Sequence, residues 1–335
     1  MGRELRRRLG AVLVAGAITL LVTAPASAQS GPAGGASWTV YQGSTSGSGL
    51  AAPVSAVNTR SRAWTSPGLD GQLYGQPLVW AGRVYVATQN NTVYALSSAT
   101  GAVIWSAHLG TPVPTASLPC GNISPVVGIT GTPVIDPARG EIFVVAAELR
   151  HGTPAHILTG LDATSGRTEL SQDVDPPGAD PAALLQRTAL TLDGGQVVFG
   201  MGGNFGDCST YRGRVAAVPE SGGTPRYFTV DGAPGESQGA VWMGGAAPVI
   251  DGSGNIWVTT GNGSVSSSSH AYDHSDGLLE LAPSLDLLQY FAPRSWASDN
   301  SRDLDMSAAP ALAPALPSAA GPAASTPVSG HRYRT

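Results

Sequence analysis

Histidines and carboxylates crowd a serine-rich segment near the C-terminal end of this 335-residue chain. His270 and His274 are four residues apart, with Asp273 between them and Asp276 just beyond. Imidazole nitrogens and carboxylate oxygens are common metal ligands. If the segment folded back on itself, His270 and His274 could meet Asp273 or Asp276 at one metal ion. The alternative is that they are solvated loop residues that form turns.

A second polar segment is rich in glycine and runs from Gly202 to Cys208. Asp207 and the nearby Asn204 carry side-chain oxygens, the ligand type that calcium prefers. Asp207 is therefore a further candidate metal ligand. Turn formation beside a disulfide explains the same residues equally simply, and the sequence leaves both interpretations open.

Cys120 and Cys208 are the two cysteines of the chain. An even pair in an exported protein favours one disulfide bond. The strand pattern described next places both residues in connections that emerge on the same face. The sequence therefore predicts a Cys120–Cys208 bridge, with two unpaired buried thiols as the alternative.

The elements that position these residues recur at a spacing of just under sixty residues. The clearest copy, Gly75–Gly110, reads as four short strands separated by turns, and related copies begin near Thr132, Thr188 and Ala247. A four-stranded repeat of this length is typical of a β-propeller blade. High glycine and proline content, with only 12% charged residues, agrees with a turn-rich all-β fold.

The repeat predicts one β-propeller domain over residues 29–306 with about four full blades. The blades are expected at about 75–113, 128–176, 186–232 and 244–296. A lone strand at about 54–66 is expected to complete the last blade, because closure removes exposed strand edges. A fifth blade starts near Ala309 and is aborted. Residues 307–335 are rich in alanine and proline, which predicts a disordered tail, either native or a reading-frame artefact.

The N-terminal residues 1–28 have the pattern of a signal peptide. Four arginines precede an apolar run, Leu9–Val22, and Ala26-Ser27-Ala28 supplies the small residues of a cleavage site. A retained membrane anchor is the alternative. The pattern predicts a secreted or cell-envelope protein with no transmembrane segment after cleavage. The net charge of −5, with no basic cluster in the mature part, argues against nucleic-acid binding.

The turn between the third and fourth strands carries a family resemblance. The segment from Ala95 to Trp105 resembles the Ala-x-Asp-x-x-Thr-Gly-x-x-x-Trp repeat of the pyrroloquinoline-quinone (PQQ) propeller superfamily, with Thr100, Gly101 and Trp105 at matching positions. A weaker match follows at Asp162 and Gly166. The resemblance spans roughly residues 38–310. It implies that Trp105 packs between neighbouring blades.

The superfamily contains quinoprotein alcohol dehydrogenases and also non-catalytic propellers that assist outer-membrane assembly. The dehydrogenases hold PQQ over calcium, use an Asp as base, stack a vicinal disulfide on the cofactor and have seven or eight blades. This chain has no adjacent cysteines and four full predicted blades, which suggests a truncated seven- or eight-bladed parent.

The resemblance therefore leads us to expect an exported binding or assembly scaffold with an envelope or extracellular protein partner. The alternative is a PQQ- and calcium-dependent dehydrogenase of alcohol-type substrates, inactive in this shorter form. In that case its site would lie on the face that bears His151, Cys208, Asp207 and His274. The sequence assigns no catalytic or cofactor-binding residue.

Overall fold

The structure, a computed structural model, describes residues 37–51, 53, 60–312 and 328–329, all within one compact unit, Gly35–Thr335. The predicted signal peptide, residues 1–28, lies outside the described residues. Strands dominate what is described, and the longest helix has five residues. No helix in the described part of the chain has the length and apolar character needed to cross a membrane.

Four antiparallel sheets follow one another along the chain. The first contains β1 (Leu78–Trp80), β2 (Arg83–Ala87), β3 (Thr92–Ser97) and β4 (Val103–His108), and a small pair follows, β5 (Val113–Pro114) with β6 (Val126–Val127). The second contains β7 (Val134–Asp136), β8 (Glu141–Arg150), β9 (Thr153–Asp162) and β10 (Thr168–Asp173).

The third sheet has five strands and the fourth has four. The third contains β11 (Leu184–Leu185), β12 (Thr191–Asp193), β13 (Gln196–Gly203), β14 (Arg214–Pro219) and β15 (Arg226–Thr229). The fourth contains β16 (Val249–Ile250), β17 (Ile256–Thr259), β18 (Leu278–Leu281) and β19 (Leu287–Phe291), and a last pair joins β20 (Ala311–Leu312) to β21 (Val328–Ser329). Helical segments are α1 (Trp296–Asn300) and 3₁₀ turns at Tyr41–Gly43, Thr115–Ser117, Pro181–Ala183, Met243–Gly245 and Met306–Ala308.

The hydrophobic core is divided into layers between consecutive sheets. One cluster joins Tyr85 of the first sheet to Ile142 of the second. Another joins Phe143 to Phe199 of the third sheet, and a third joins Val215 to Leu279 of the fourth. Middle strands such as β8 are therefore apolar on both faces, whereas outer strands such as β4 alternate in exposure. An all-β chain of stacked four-stranded sheets results, as the repeat predicts, and ring closure and blade number stay predictions.

Trp105 on β4 packs against the turn of the next sheet. A Cβ built on Gly166 would lie 2.6 Å from the Trp105 ring, and the Trp105 Nε1–H donates to the Ala163 carbonyl at 3.2 Å. Gly166 has a φ of +75°. A residue with a side chain would therefore strain the backbone there and also strike the indole. The turn itself is fastened by Asp162, whose Oδ1 accepts from Ser165 N at 2.7 Å.

Trp64 repeats this contact one sheet earlier. Its ring lies over Gly101, where a Cβ would come within 2.4 Å, and its Nε1–H donates to the Ser98 carbonyl at 2.8 Å. In the same turn Thr100 Oγ1 accepts from the N–H of Ala102 at 3.3 Å. The expected closing strand is not seen where the structure can be read. Residues 60–66 form no strand, and residues 54–59 lie outside the described part.

The sequence predicts a disordered tail from residue 307 onward, but the first residues of that segment are folded. Ser307 is fully buried in the 3₁₀ turn Met306–Ala308, and its Oγ accepts from the N–H groups of Trp242 and Met243 at 2.9 and 2.8 Å. The small hydroxyl fits there because it satisfies two buried backbone donors at once. Residues 307–312 are described and end in the strand Ala311–Leu312, and residues 313–327 and 330–335 lie outside the described ranges.

Candidate functional site

A pocket of about 930 Å³ opens where the connections of all four sheets meet. Its residues come from two kinds of connection. One kind joins the two inner strands of a sheet, as between β13 and β14 or between β17 and β18. The other kind leads from one sheet to the next. In stacked antiparallel sheets both kinds of connection emerge at the same end. The lining residues include Tyr74, Asn122, Leu185, Arg187, Phe205, Asp207, Gln238, Trp242, Asn262, Asn300, Asp303 and Asp305.

Trp242 gives the pocket a flat aromatic wall. The residue is half-buried, and its Nε1–H donates to the carbonyl of Gly203 at 3.2 Å. Its own backbone N–H is held by Ser307 Oγ. Because both ends of the residue are anchored to neighbouring segments, the indole is a rigid surface for a ring or another flat group.

Three carboxyl groups line the same pocket, on Asp207, Asp303 and Asp305. Burial raises the pKa of Asp305 to about 7. The hydrogen bond from the Ser307 N–H opposes this rise, whereas the negative charges of Asp303 and Asp207 add to it. Burial also raises the pKa of Asp207, which accepts a hydrogen bond from the Tyr211 hydroxyl at 2.7 Å. Asp305 can therefore take up or release a proton near neutral pH.

Asn262 and Arg187 complete the polar lining. Asn262 is 6% exposed, and its Oδ1 has no hydrogen-bond partner among the described residues. A buried amide oxygen of this kind is an acceptor left open for a ligand. Arg187 donates through Nη1 to the Thr130 carbonyl at 3.1 Å, and burial lowers its pKa. The pocket lining thus holds three carboxyl groups and one guanidinium group.

The predicted disulfide borders the pocket. Cys120 and Cys208 are bonded, with 6.2 Å between their Cα atoms. Cys208 follows Phe205 and Asp207 in the connection after β13, so the bridge fixes that connection to the link between β5 and β6. Phe205 is 66% exposed at the pocket edge. The expectation that both cysteines occupy connections on one face agrees with this geometry.

The four candidate metal ligands do not meet. His270 is exposed, with its Nδ1 3.9 Å from Glu236 Oε1. His274, at a φ of +72°, packs edge-on against Tyr272 with ring centroids 5.5 Å apart, and burial lowers its pKa.

Asp273 has its own partner in the same connection. It accepts from the N–H and hydroxyl of Ser275, while Asp207 belongs to the pocket. No group of three or more His, Cys, Asp or Glu side chains in the described ranges is arranged to hold a metal ion. His274 has a left-handed backbone conformation, and its ring lies in an aromatic cluster with Tyr272 and Tyr290.

The pocket residues Trp242, Asn262 and Asp305 are not predicted by the sequence analysis. One signal was available. An asparagine lies in the connection after β2, β13 and β17, as Asn91, Asn204 and Asn262. Such a repeated amide at one end of the sheets marks the end where a site can form. Nothing comparable marks Trp242 or Asp305, whose segments differ from sheet to sheet.

Comparison with solved structures gives propeller enzymes of low sequence identity. A quinohemoprotein alcohol dehydrogenase from Comamonas testosteroni superposes with a TM-score of 0.61 at 18% identity, over 87% of this chain and 45% of that one. The quinohemoprotein alcohol dehydrogenase ADHIIG from Pseudomonas putida HK5 gives 0.59 at 17%, over 76% and 40%. A europium-containing methanol dehydrogenase gives 0.59 at 17%, over 84% and 52%. At these identities the likeness shows a propeller-like fold, and this chain spans about half or less of each enzyme.

Comparison with curated proteins finds none that matches the chain significantly. A family model described as "Outer membrane protein assembly factor BamB" matches residues 29–277. The match covers well over half of the chain and includes both tryptophan–glycine contacts. The chain therefore belongs to the family of PQQ-like β-propeller repeat proteins.

Proposed function

We propose that this chain is an exported binding protein that takes a small polar ligand in the pocket beside Trp242. The observation that carries the proposal is the pocket itself, about 930 Å³, with an aromatic wall and a buried, unpartnered Asn262 oxygen. Ligand sites commonly combine an apolar wall with a few fixed polar groups in a cavity of this size. Export is supported by the disulfide, which persists in oxidising compartments.

The charge of the pocket selects the ligand class. Three carboxyl groups against one guanidinium favour a ligand that brings positive charge, either its own or that of a bound divalent cation. The indole of Trp242 favours a flat or cationic group beside it. The test is whether the purified exported protein carries a small molecule that a pocket variant loses.

A PQQ- and calcium-dependent dehydrogenase is the second candidate, and the composition of the pocket favours it. Calcium prefers oxygen ligands, which Asn262, Asp303 and Asp305 offer in one cavity. Trp242 would lie against the flat cofactor and Arg187 would face its carboxylates. Bound PQQ supplies a two-electron acceptor for alcohol oxidation. Asp305, with its pKa near 7, would hold or accept a proton at its Oδ atoms. The cysteines do not fit the enzyme pattern, since Cys120 and Cys208 are 88 residues apart.

Adding PQQ with and without calcium separates the two candidates. An enzyme should show a saturable change in PQQ absorbance, quenching of Trp242 fluorescence and dye-linked alcohol oxidation. The Trp242→Phe variant identifies the responding indole among seven tryptophans. No absorbance change and no quenching with PQQ and calcium would exclude the dehydrogenase and leave the binding proposal.

The chain would also act as a scaffold if it binds a protein partner in the cell envelope or outside the cell. Exposed apolar side chains support it, notably Phe205 at the pocket edge and Phe291 on β19, which is 60% exposed. Exposed aromatic residues of this kind are enriched at protein interfaces. Crosslinking in intact cells followed by purification tests it. A partner whose capture is lost with Phe205→Ser supports the scaffold, and recovery of the chain alone contradicts it.

A further inference from the structure

A second pocket, of about 360 Å³, lies between the connection that leads into the third sheet and the residues at the start of β14. Its lining includes Asp180, Leu184, Tyr211, Arg212 and Arg214, none of which lines the larger pocket described above. Leu184 and Tyr211 are buried and form its apolar part. Two guanidinium groups and one carboxyl group are the charged groups of this lining, so the pocket has a net positive charge.

Neither arginine forms an ion pair with a carboxylate in the part of the chain that the structure describes. The side chain of Arg212 donates instead to backbone carbonyls in the segment 232–236. Arg214 donates through Nη1 to the carbonyl of Gly213 at 3.1 Å. Because a guanidinium group carries five N–H donors, both side chains keep donors for a further acceptor.

The carboxyl groups nearest to the arginines are engaged elsewhere or uncharged. Asp180 Oδ1 accepts from the N–H of Ala182 at 3.0 Å, and Glu236 Oε2 accepts from the N–H of Ala233 at 2.8 Å. Burial, together with neighbouring negative charges, raises the pKa of Asp231 to about 9, so this group keeps its proton at neutral pH. The positive charge of the pocket therefore stays largely uncompensated.

The two guanidinium groups also repel each other. Both arginines are half-buried. Burial lowers the pKa of Arg214, and the positive charge of Arg212 lowers it further, whereas Tyr227 opposes the change. Like charges that are partly removed from water are unfavourable, and an anion placed beside both of them relieves this cost. The lining thus favours a negatively charged ligand.

The backbone holds both arginines in place. Gly213 lies between them in the chain, and its N–H donates to the carbonyl of Gln238 at 2.7 Å. A Cβ on Gly213 would lie 1.8 Å from the Gly239 carbonyl oxygen, so the chain passes directly against this neighbouring segment. Arg212 is anchored a second time through its side chain. Donors that are already fixed lose little conformational freedom when a ligand binds.

We propose that this second pocket binds the phosphate group of a small phosphate ester. The planar fork of arginine matches the oxygen atoms of a phosphate group and donates to two of them at once. A phosphate group has enough oxygens for two guanidinium groups, whereas a carboxylate is satisfied by one. The volume of about 360 Å³ leaves room beyond the phosphate, and Leu184 and Tyr211 would contact the carbon part of the ester.

Isothermal titration calorimetry of the purified full chain tests the proposal, with inorganic phosphate, glycerol 3-phosphate and glycerol as probes at constant ionic strength. We expect saturable binding of both phosphate compounds, with the ester bound at least as tightly as inorganic phosphate, and no binding of glycerol. Arg214→Gln should weaken the binding of the ester about tenfold or more, because charge-assisted hydrogen bonds are lost. Absence of binding by either phosphate compound, or unchanged affinity in Arg214→Gln, overturns the proposal.

Two further variants separate this site from general attraction to a positive charge. Arg167→Gln removes the same charge from an exposed turn and should leave the affinity for the ester unchanged. Asp180→Asn should bind the ester several-fold more tightly, because asparagine keeps the hydrogen bond from Ala182 and removes the negative charge of the lining. Asp180→Asn decides the question even if Arg214→Gln fails to fold. Unchanged or weaker binding by Asp180→Asn, or an equal loss in Arg167→Gln and Arg214→Gln, contradicts the proposal.

Discussion

The indole of Trp105 lies against Gly166 of the following sheet so closely that a Cβ on Gly166 would come within 2.6 Å of the ring. Trp64 and Gly101 repeat the relationship one sheet earlier. In each pair the indole N–H also donates to a backbone carbonyl three residues before the glycine. The Trp105 contact thus couples the first and second sheets by packing and by a directed hydrogen bond, and the Trp64 contact ties the segment before β1 to the first sheet in the same way.

Replacement of Gly166 by alanine should destabilise the protein. Gly82 is the matched control, since it has the same φ of +75° but nothing within 4 Å of its Cβ position. Both Gly→Ala variants carry the backbone cost of a left-handed residue. Gly166→Ala should lose about 1–3 kcal/mol more, because the new methyl strikes the Trp105 ring. Urea unfolding measures the difference, and equal losses in the two variants would contradict the packing role.

The residue type at the position of Trp105 changes from sheet to sheet, which explains why the repeat motif is harder to recognise after the first sheet. The residue four after the turn glycine is Trp105 in the first sheet, Leu170 in the second and Arg226 in the third. Leu170 contacts Gly222, and Arg226 Nη2 donates to the Pro283 carbonyl at 3.0 Å. In each sheet the side chain at this position thus reaches the corresponding turn of the next sheet. The contact between sheets is kept although the residue type changes.

Strand and turn positions could be predicted because they depend on local patterns. The turn at Thr100-Gly101 and the disulfide follow from residue type and from position within the repeat. The pocket could not be predicted in the same way, since Arg187, Trp242 and Asp305 are about sixty residues apart and belong to no repeated motif. The metal prediction at His270 and His274 rests on residue types and spacing and stays a prediction, because spacing does not determine which way a loop directs its side chains.

Loss of the disulfide should lower stability. The bond closes a long loop, with 88 residues of sequence separation between Cys120 and Cys208. In the chain-entropy description such a bridge contributes about 4–5 kcal/mol. The Cys120→Ser/Cys208→Ser variant should therefore melt lower than the oxidised protein under the same conditions. A melting temperature unchanged by the double substitution, or by reductant in the wild type, would contradict this expectation.

Stability should fall as pH rises from about 5 to about 7 because of Glu220. Burial raises its pKa to about 7, with Asp136 and Glu141 adding to the shift and Arg139 opposing it. The folded protein therefore keeps a proton that the unfolded chain has already lost, and stability declines across that interval. Urea midpoints at pH 5 and pH 8 measure the decline.

Glu220→Gln should make this pH dependence shallower, because the amide cannot ionise, and the part that remains comes from groups such as Asp305, whose pKa is also raised to about 7. Glu169→Gln, on the exposed outer strand β10, is the control and should leave it unchanged. If wild type and Glu220→Gln lose the same stability between the two pH values, the proton resides on other groups.

Native mass spectrometry of the exported protein tests the proposed binding function most directly. Wild type, Asp305→Asn and the exposed control Asp286→Asn are purified in parallel from the same exported fraction. We predict a small molecule of one defined mass on the wild type and the control, and its loss or strong depletion in Asp305→Asn, because Asp305 supplies a buried carboxyl group to the pocket. The same bound mass in all three proteins, or none in any of them, would contradict the proposal.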